Sequence, residues 1–402
     1  MVETPGGGDT GTADTGTPDI GTPDALAAYA ADVLGSVRRR DQRARAAGCL
    51  ERAVLDGGAG GGVPRSLRYF VNRSPWDPAP VLRRIAERVL PLIAPQAWVV
   101  EDVSFPKQGR LSVGVARQFS GGLGRKARCQ VAVGVHAVTA EASCPLQWRL
   151  FLNQEWADDA ERRRLARVPG GVVHREKWRL ALDALDELAG WGLEPPVLVA
   201  DSAYGTSTGF RAGLTARGVP HLVGVHGELT VHPAALWPAP STAGARGRGL
   251  SRYREAPRSV RAMAESAGRA AYTPVDGPGP PTRYLVLRVR PAGARARRLA
   301  RESALAREGR WDGVLPEVGL LAEWPEAAAA PSGFWLTDLP ARTPPSELVL
   351  LARSRSRVAH DRGVMRDRLG LGHYEGRSWP GWHHHVVLST AAHAFTVEQR
   401  LG

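Results

Sequence analysis

Between Ala97 and Gly227 the chain alternates two periods in a fixed order, and that order restricts the fold more than any other feature. AWVVEDVSF (97–105), LSVGVARQFS (111–120) and CQVAVGVHAV (129–138) read as strands, the last two separated by a Gly-rich turn, GGLG. Leu146 to Asn153 fits a fourth. Glu176 to Trp191 then carries apolar residues at helical spacing through Trp178, Leu182, Leu185 and Leu188. PPVLVADSAYG (195–205) is a short apolar strand ending at Asp201, Gly209 to Arg217 fits a helix, and HLVGVHG (221–227) is one more strand. Meandering strands followed by alternating helices and strands predict an α/β fold, a mixed sheet with helices packed on it.

The flanks read differently. Residues 1–24 form a Gly/Thr/Pro/Asp tract too poor in apolar residues to bury a core, and the reading there is a disordered tail. Residues 25–95 are expected to be a small helical region and a possible DNA-binding one. Leu26, Tyr29, Val33 and Val37 keep helical spacing, GGAGGG (57–62) interrupts it, and SPWDP (74–78) leads into Val81 to Ile93. With 96–228 as the first part of the core, residues 229–343 are expected to form a β-rich insertion with one basic excursion, GARARRLARESALAREGR (293–310). Residues 344–402 are expected to return to helix and complete the core. Ser346 is the expected N-cap of a helix over 344–371.

Composition excludes several classes. Three cysteines cannot make a disulfide framework. The longest apolar-leaning stretch, Val89 to Val100, is too short to span a bilayer. The N-terminus lacks the basic-then-apolar pattern of a secretory signal, so a cytoplasmic, nucleoid-associated protein with no membrane partner is expected. Lys plus Arg exceed Asp plus Glu by 53 to 40, giving +13, and only three of the 53 are lysine. Arginine's fork matches phosphate, so this charge suits nucleic acid, while GC-rich coding, which enriches Ala, Gly, Arg and Pro, is the alternative source of it. Arg-rich stretches at 38–45, 295–310 and 353–368 are the candidate contact surfaces, among them Arg38, Arg39 and Arg40.

Asp102 and Asp201 stand at the ends of apolar strands, where a carboxylate faces the rim of a sheet. Two such acids with a third from a helix can hold two Mg²⁺ ions for phosphoryl transfer. His383, His384 and His385 are consecutive, so their side chains diverge and do not suit one ion. Cys129 and Cys144 fall in predicted strands and read as buried small apolar groups.

Five segments, in order, resemble the DDE-superfamily transposases of bacterial insertion sequences, the cut-and-paste type with an RNase H-like core. They are SPWD (74–77), EDVSFPKQGRLSVGVARQFSGGLGRKARCQVAV (101–133), LFLNQEWADDAERRR (150–164), VADSAYG (199–205) and LGLGHYEGRSWPGWHHHV (369–386). The resemblance implies an RNase H-like sheet, a β-rich insertion, a homodimer on paired DNA ends and Mg²⁺-dependent strand cleavage and transfer. It implies Asp102 and Asp201 as catalytic metal ligands, and a glutamate at a place that here holds Ala359. Asp361, two residues on, is the nearest alternative acid, but it lies roughly 200° around the helix and would serve only if the helix changed register. Arg355 matches a basic residue of the family. Arg362 stands where tyrosine is frequent, Arg366 where lysine is, and Val103 where threonine is usual. Arg355, Arg357, Arg362, Arg366 and Lys107 are the DNA contacts expected beside the site. Four readings follow: a transposase impaired by Ala359, a domesticated relative that binds DNA as a regulator without cutting it, an enzyme repurposed around the Asp pair, or a decaying insertion-sequence copy with no activity.

Overall fold

The computed structural model describes residues 22–56, 65–120, 123–239, 252–276 and 280–402. The expected tail up to residue 21, the GGAGGG segment and Gly121-Gly122 of the GGLG turn lie outside the described residues. Four helices open the chain: α1 (Pro23–Val33), α2 (Arg40–Leu55), α3 (Arg65–Arg73) and α4 (Ala79–Ile93). Thr22 caps α1 through its hydroxyl, and Pro23 supplies the fixed φ its first turn needs. The region expected to be helical from 25 to 55 is therefore two helices, with Arg38 and Arg39 in the break.

Next come β1 (Ala97–Pro106), β2 (Ala116–Ser120), β3 (Arg125–Val138) and β4 (Ser143–Leu150). The helices α5 (Gln154–Asp158), α6 (Ala160–Leu165) and α7 (Lys177–Gly190) follow, then β5 (Leu198–Ala200), α8 (Ser202–Gly205), α9 (Thr208–Ala216) and β6 (His221–Gly224). β2 is shorter than the run 111–120 suggests. Gly114 takes φ 73°, and the carbonyls of Val113 and Val115 accept from the Gln130 amide and the Trp156 indole at 2.7 and 2.8 Å. Side chains from elsewhere thus take up hydrogen-bonding groups that a longer strand would use.

β1 runs antiparallel to β3 and parallel to β5, and β5 is parallel to β6. β4 pairs with the far edge of β3. The order β4-β3-β1-β5-β6 is that of an RNase H-like α/β fold. The β-rich stretch continues the same sheet. It contains β7 (Thr230–Pro233), β8 (Arg258–Ser259), α10 (Val260–Ser266), β9 (Thr273–Pro274), β10 (Thr282–Pro291), α11 (Ala294–Glu308), β11 (Val318–Pro325) and β12 (Gly333–Thr337). β12 pairs with β6, and the order proceeds through β11 and β10 to β7 and β8, giving twelve strands in one mixed sheet among the described residues.

Two long helices finish the chain, α12 (Pro345–Arg368) and α13 (Trp379–Leu401). Pro344, not Ser346, is the N-cap of α12, and Pro345 opens the helix. α12 lies on the sheet face that carries Ala97, Val99, Val199 and Leu222, which it meets with Leu348, Val349, Leu351 and Val358. The other face carries Trp98, Val100, Leu198 and Ala200, packed with α4, α7, α9 and α13. Among the described residues no helix is long and apolar enough to cross a membrane.

Candidate active site

The register between β1 and β5 decides which acids meet. Val99 pairs with Val199 and Val100 with Ala200. One step further, Glu101 comes opposite Asp201. Side chains alternate along a strand, so Glu101 and Asp201 point to the α12 face with Val99 and Val199. Asp102 points to the other.

Asp201 closes β5 and caps α8, accepting from the Ala203 amide at 3.0 Å through Oδ1. Its Oδ2 accepts from the Arg355 guanidinium at 3.1 Å. The tight path through this corner requires glycine, because a Cβ at Gly205 would run into the carbonyl oxygen of Gly224. Glu101 is buried and accepts from Arg362 at 2.5 Å through Oε2. Burial raises its carboxyl pKa, and the Arg362 charge opposes that rise. Its Oε1 has no hydrogen-bond partner, and the ring of His136 stands 3.6 Å away. Burial, helped by the Arg362 and His393 charges, pushes His136 down to about 3, so this imidazole stays neutral.

Asp102 is held from the opposite side. Its Oδ1 accepts from the Tyr204 hydroxyl at 2.5 Å, and Lys177, at the start of α7, donates to Oδ2. Tyr204 is buried beside Asp102. Burial raises its hydroxyl pKa well above the usual value, and the charges of Asp102, Asp201 and Glu101 add to the rise. The structure thus sets Glu101, not Asp102, beside Asp201 on the α12 face, and holds Asp102 on the opposite face with Tyr204 and Lys177. Strand alternation relative to Asp201 could have found Glu101. Tyr204 lies within VADSAYG. Nothing local marks Lys177, which reaches Asp102 from 75 residues away.

α12 supplies the remaining wall. Ala359 sits one turn beyond Arg355 and one turn before Arg362, on the same helical stripe. It is exposed and offers no ligand. Asp361 is on the buried side instead, 2 % exposed. It accepts from the Ser143 amide and hydroxyl at 2.7 and 2.8 Å and from Arg357 at 2.6 and 3.0 Å. Its carboxylate fastens α12 to the start of β4 and does not join the other acids. No register change brings it round.

The expected DNA contacts divide into two groups. Arg355, Arg357 and Arg362 are tied to Asp201, Asp361 and Glu101, and Arg366 pairs with the neighbouring Asp367. Lys107 lies half-buried just past β1, donates to the Tyr374 carbonyl, and lines an open cleft of about 510 Å³ with Arg110 and Arg377. Arg38, Arg39 and Arg40 are exposed, and Arg39 pairs with Asp41 at 3.0 Å. The histidine triplet is spent on backbone carbonyls: His383 on Trp379, His384 between Val71 and Trp76, His385 on Leu371.

The two-Mg²⁺ centre that the resemblance implies can be tested against these donors. Each of the three acids has a protein cation on it, and the third wall offers a methyl group. Among the described residues no three His, Cys, Asp or Glu side chains converge to hold an ion. The residues present do not fit a two-metal centre.

A family model described as DDE superfamily endonuclease matches residues 32–278. A probable transposase for insertion sequence element IS701 from Microchaete diplosiphon is 26 % identical over 145 residues, 36 % of this chain and 35 % of that protein. The chain thus spans about a third of that relative's length. The family match extends over more than half of the chain and takes in Glu101, Asp102 and Asp201 with the strands that carry them, and on that ground the chain belongs to the DDE superfamily endonucleases.

Proposed function

We propose that the chain is a transposase-like DNA-binding protein, acting in or derived from DNA transposition, with strand cleavage impaired because Ala359 replaces the third acid. Family membership and the probable transposase it resembles support the lineage. The exposed arginines of α11, Arg295, Arg297, Arg298, Arg301 and Arg307, support the DNA partner, since phosphate attraction supplies most of sequence-independent binding. Lys107 and the exposed Arg38, Arg39 and Arg40 are further candidate phosphate contacts. The observation that carries the impairment is the wall of α12, which presents Arg355, Ala359 and Arg362 to the acids. A homodimer on paired DNA ends and a cytoplasmic, nucleoid-associated place of action belong to this reading. Mg²⁺ enters it only where the acid site is active. The domesticated, non-cutting regulator is its limiting form.

The test uses the full chain, duplexes taken from the flanks of its own gene, and supercoiled plasmid. Mobility shifts should show binding that weakens steeply with salt. Arg297→Ala with Arg301→Ala should lower the log–log salt slope by about one for each phosphate no longer neutralised. Plasmid in Mg²⁺ or Mn²⁺ should stay supercoiled. Absence of binding at low salt defeats the DNA reading. Nicking that Asp201→Asn abolishes defeats the impairment.

A further inference from the structure

We infer that Arg362, Arg355 and Lys177 are the resident counterions of the acid cluster, and that they keep divalent metal out of a site the family would fill with it. Glu101 and Asp102, midway along β1, and Asp201, at the end of β5, bring three negative charges. Arg362, Arg355 and Lys177 bring three positive charges to the same carboxylates, by direct contact in every case. A Mg²⁺ or Mn²⁺ ion needs carboxylate oxygens as ligands. At Glu101 one oxygen already accepts from a guanidinium at 2.5 Å and the other is sealed beside the neutral His136 ring. At Asp201 one oxygen caps α8 and the other holds Arg355.

An incoming ion would have to displace a guanidinium that cannot be neutralised, because arginine keeps its proton at all working pH. It would also sit within a few ångströms of that cation, where unlike-charge gain is replaced by repulsion. Ala359 provides no fourth carboxylate to tip the balance. The two arginine pairs are therefore an ion-pair latch that joins α12 to β1 and to the end of β5, and Lys177 ties α7 to β1 from the other face. The latch goes beyond loss of the third acid: metal is refused even with Asp102 and Asp201 intact.

The experiment reads metal alone, on the full chain. Mn²⁺ binding is followed by electron paramagnetic resonance and calorimetry for the wild type, Arg362→Ala, Arg355→Ala and Asp201→Asn. Thermal melts are recorded with and without Mn²⁺. The wild type should bind no Mn²⁺ that Asp201→Asn removes, and its melting temperature should not respond to the ion. Arg362→Ala should melt lower, since it leaves Glu101 buried and unpaired. It should gain Mn²⁺ affinity by about tenfold or more, and recover melting temperature when Mn²⁺ is added. Arg355→Ala, at a half-exposed pair, repeats the measurement if Arg362→Ala does not fold. Wild-type Mn²⁺ binding that disappears in Asp201→Asn overturns the inference, as does an arginine variant that folds and shows no gain. A failed mobility shift would strike the DNA reading alone and leave this result standing.

Discussion

Two residues apart on α12, Ala359 and Asp361 serve different ends because a helix turns them to different sides. Ala359 faces solvent beside the acid cluster, whereas Asp361 is packed against β4 with four hydrogen bonds on its carboxylate. A buried charge that loses its partner is costly, and Asp361→Ala would strand Arg357 and both Ser143 donors. We expect Asp361→Ala to lose about 3–5 kcal/mol of stability. Urea unfolding checks this, and an unchanged midpoint would make Asp361 a candidate catalytic acid again. The family resemblance implied that the third-acid position is held by Ala359, with Asp361 as the nearest alternative acid. It could not show that Ser143, 218 positions earlier, already held that side chain.

At the scale of elements, the corner from β5 through α8 to β6 places Asp201. Gly205 and Gly224 let α8 lie against β6 with backbone touching backbone, and the Asp201 cap then turns the chain off the sheet. A methyl group at Gly205 has nowhere to go. Gly205→Ala should cost about 1–3 kcal/mol as the corner opens. It should also break the Asp201–Arg355 pair. Gly190, the last residue of α7, has open space where its Cβ would be, so Gly190→Ala should be neutral or stabilising by up to ~1 kcal/mol. Melting both variants tests whether close packing sets the difference, and equal losses would contradict it. The apolar run before Asp201 and the helix expected over Gly209 to Arg217 are legible locally, whereas α8 is not. The close approach is not, because it depends on a strand that begins some way along the chain.

For the whole molecule, α13 is the tie between the opening helices and the sheet. Tyr29 donates to the Ala391 carbonyl, Trp148 to Thr390, His393 contacts the Ser143 carbonyl, and His384 lies between the carbonyls of Val71 and Trp76. Burial is the main cause that pushes His383 and His385 down to about 4 and His136 to about 3. Below the ordinary histidine pKa of about 6.5 the unfolded chain takes up protons at these rings and the folded chain does not. Stability is therefore present in full above that pH. It falls as pH drops from about 6.5 toward 4, with a slope of up to ~1.4 kcal/mol per pH unit for each histidine. Urea midpoints at pH 7, 6 and 5 should show the decline. His385→Gln should remove about one proton from the slope, and a flat profile in the wild type would refute the buried-histidine account.

The sequence by itself determined the order of strands and helices through the core and singled out two aspartates, of which the structure leaves Asp201 at a strand end and Asp102 inside β1. These are local properties: a period of two or of 3.6, a motif, a residue type at a position. Net charge is legible in the same way, since it adds up without regard to fold. Only the tertiary structure decided which carboxylates share a face. The parallel register of β1 and β5 sets Glu101 beside Asp201 and turns Asp102 toward Tyr204 and Lys177. A shift of one residue in that register would exchange Glu101 and Asp102. Register between strands about a hundred residues apart is a long-range quantity, fixed by how both faces of the sheet are packed, and no window along the chain contains it.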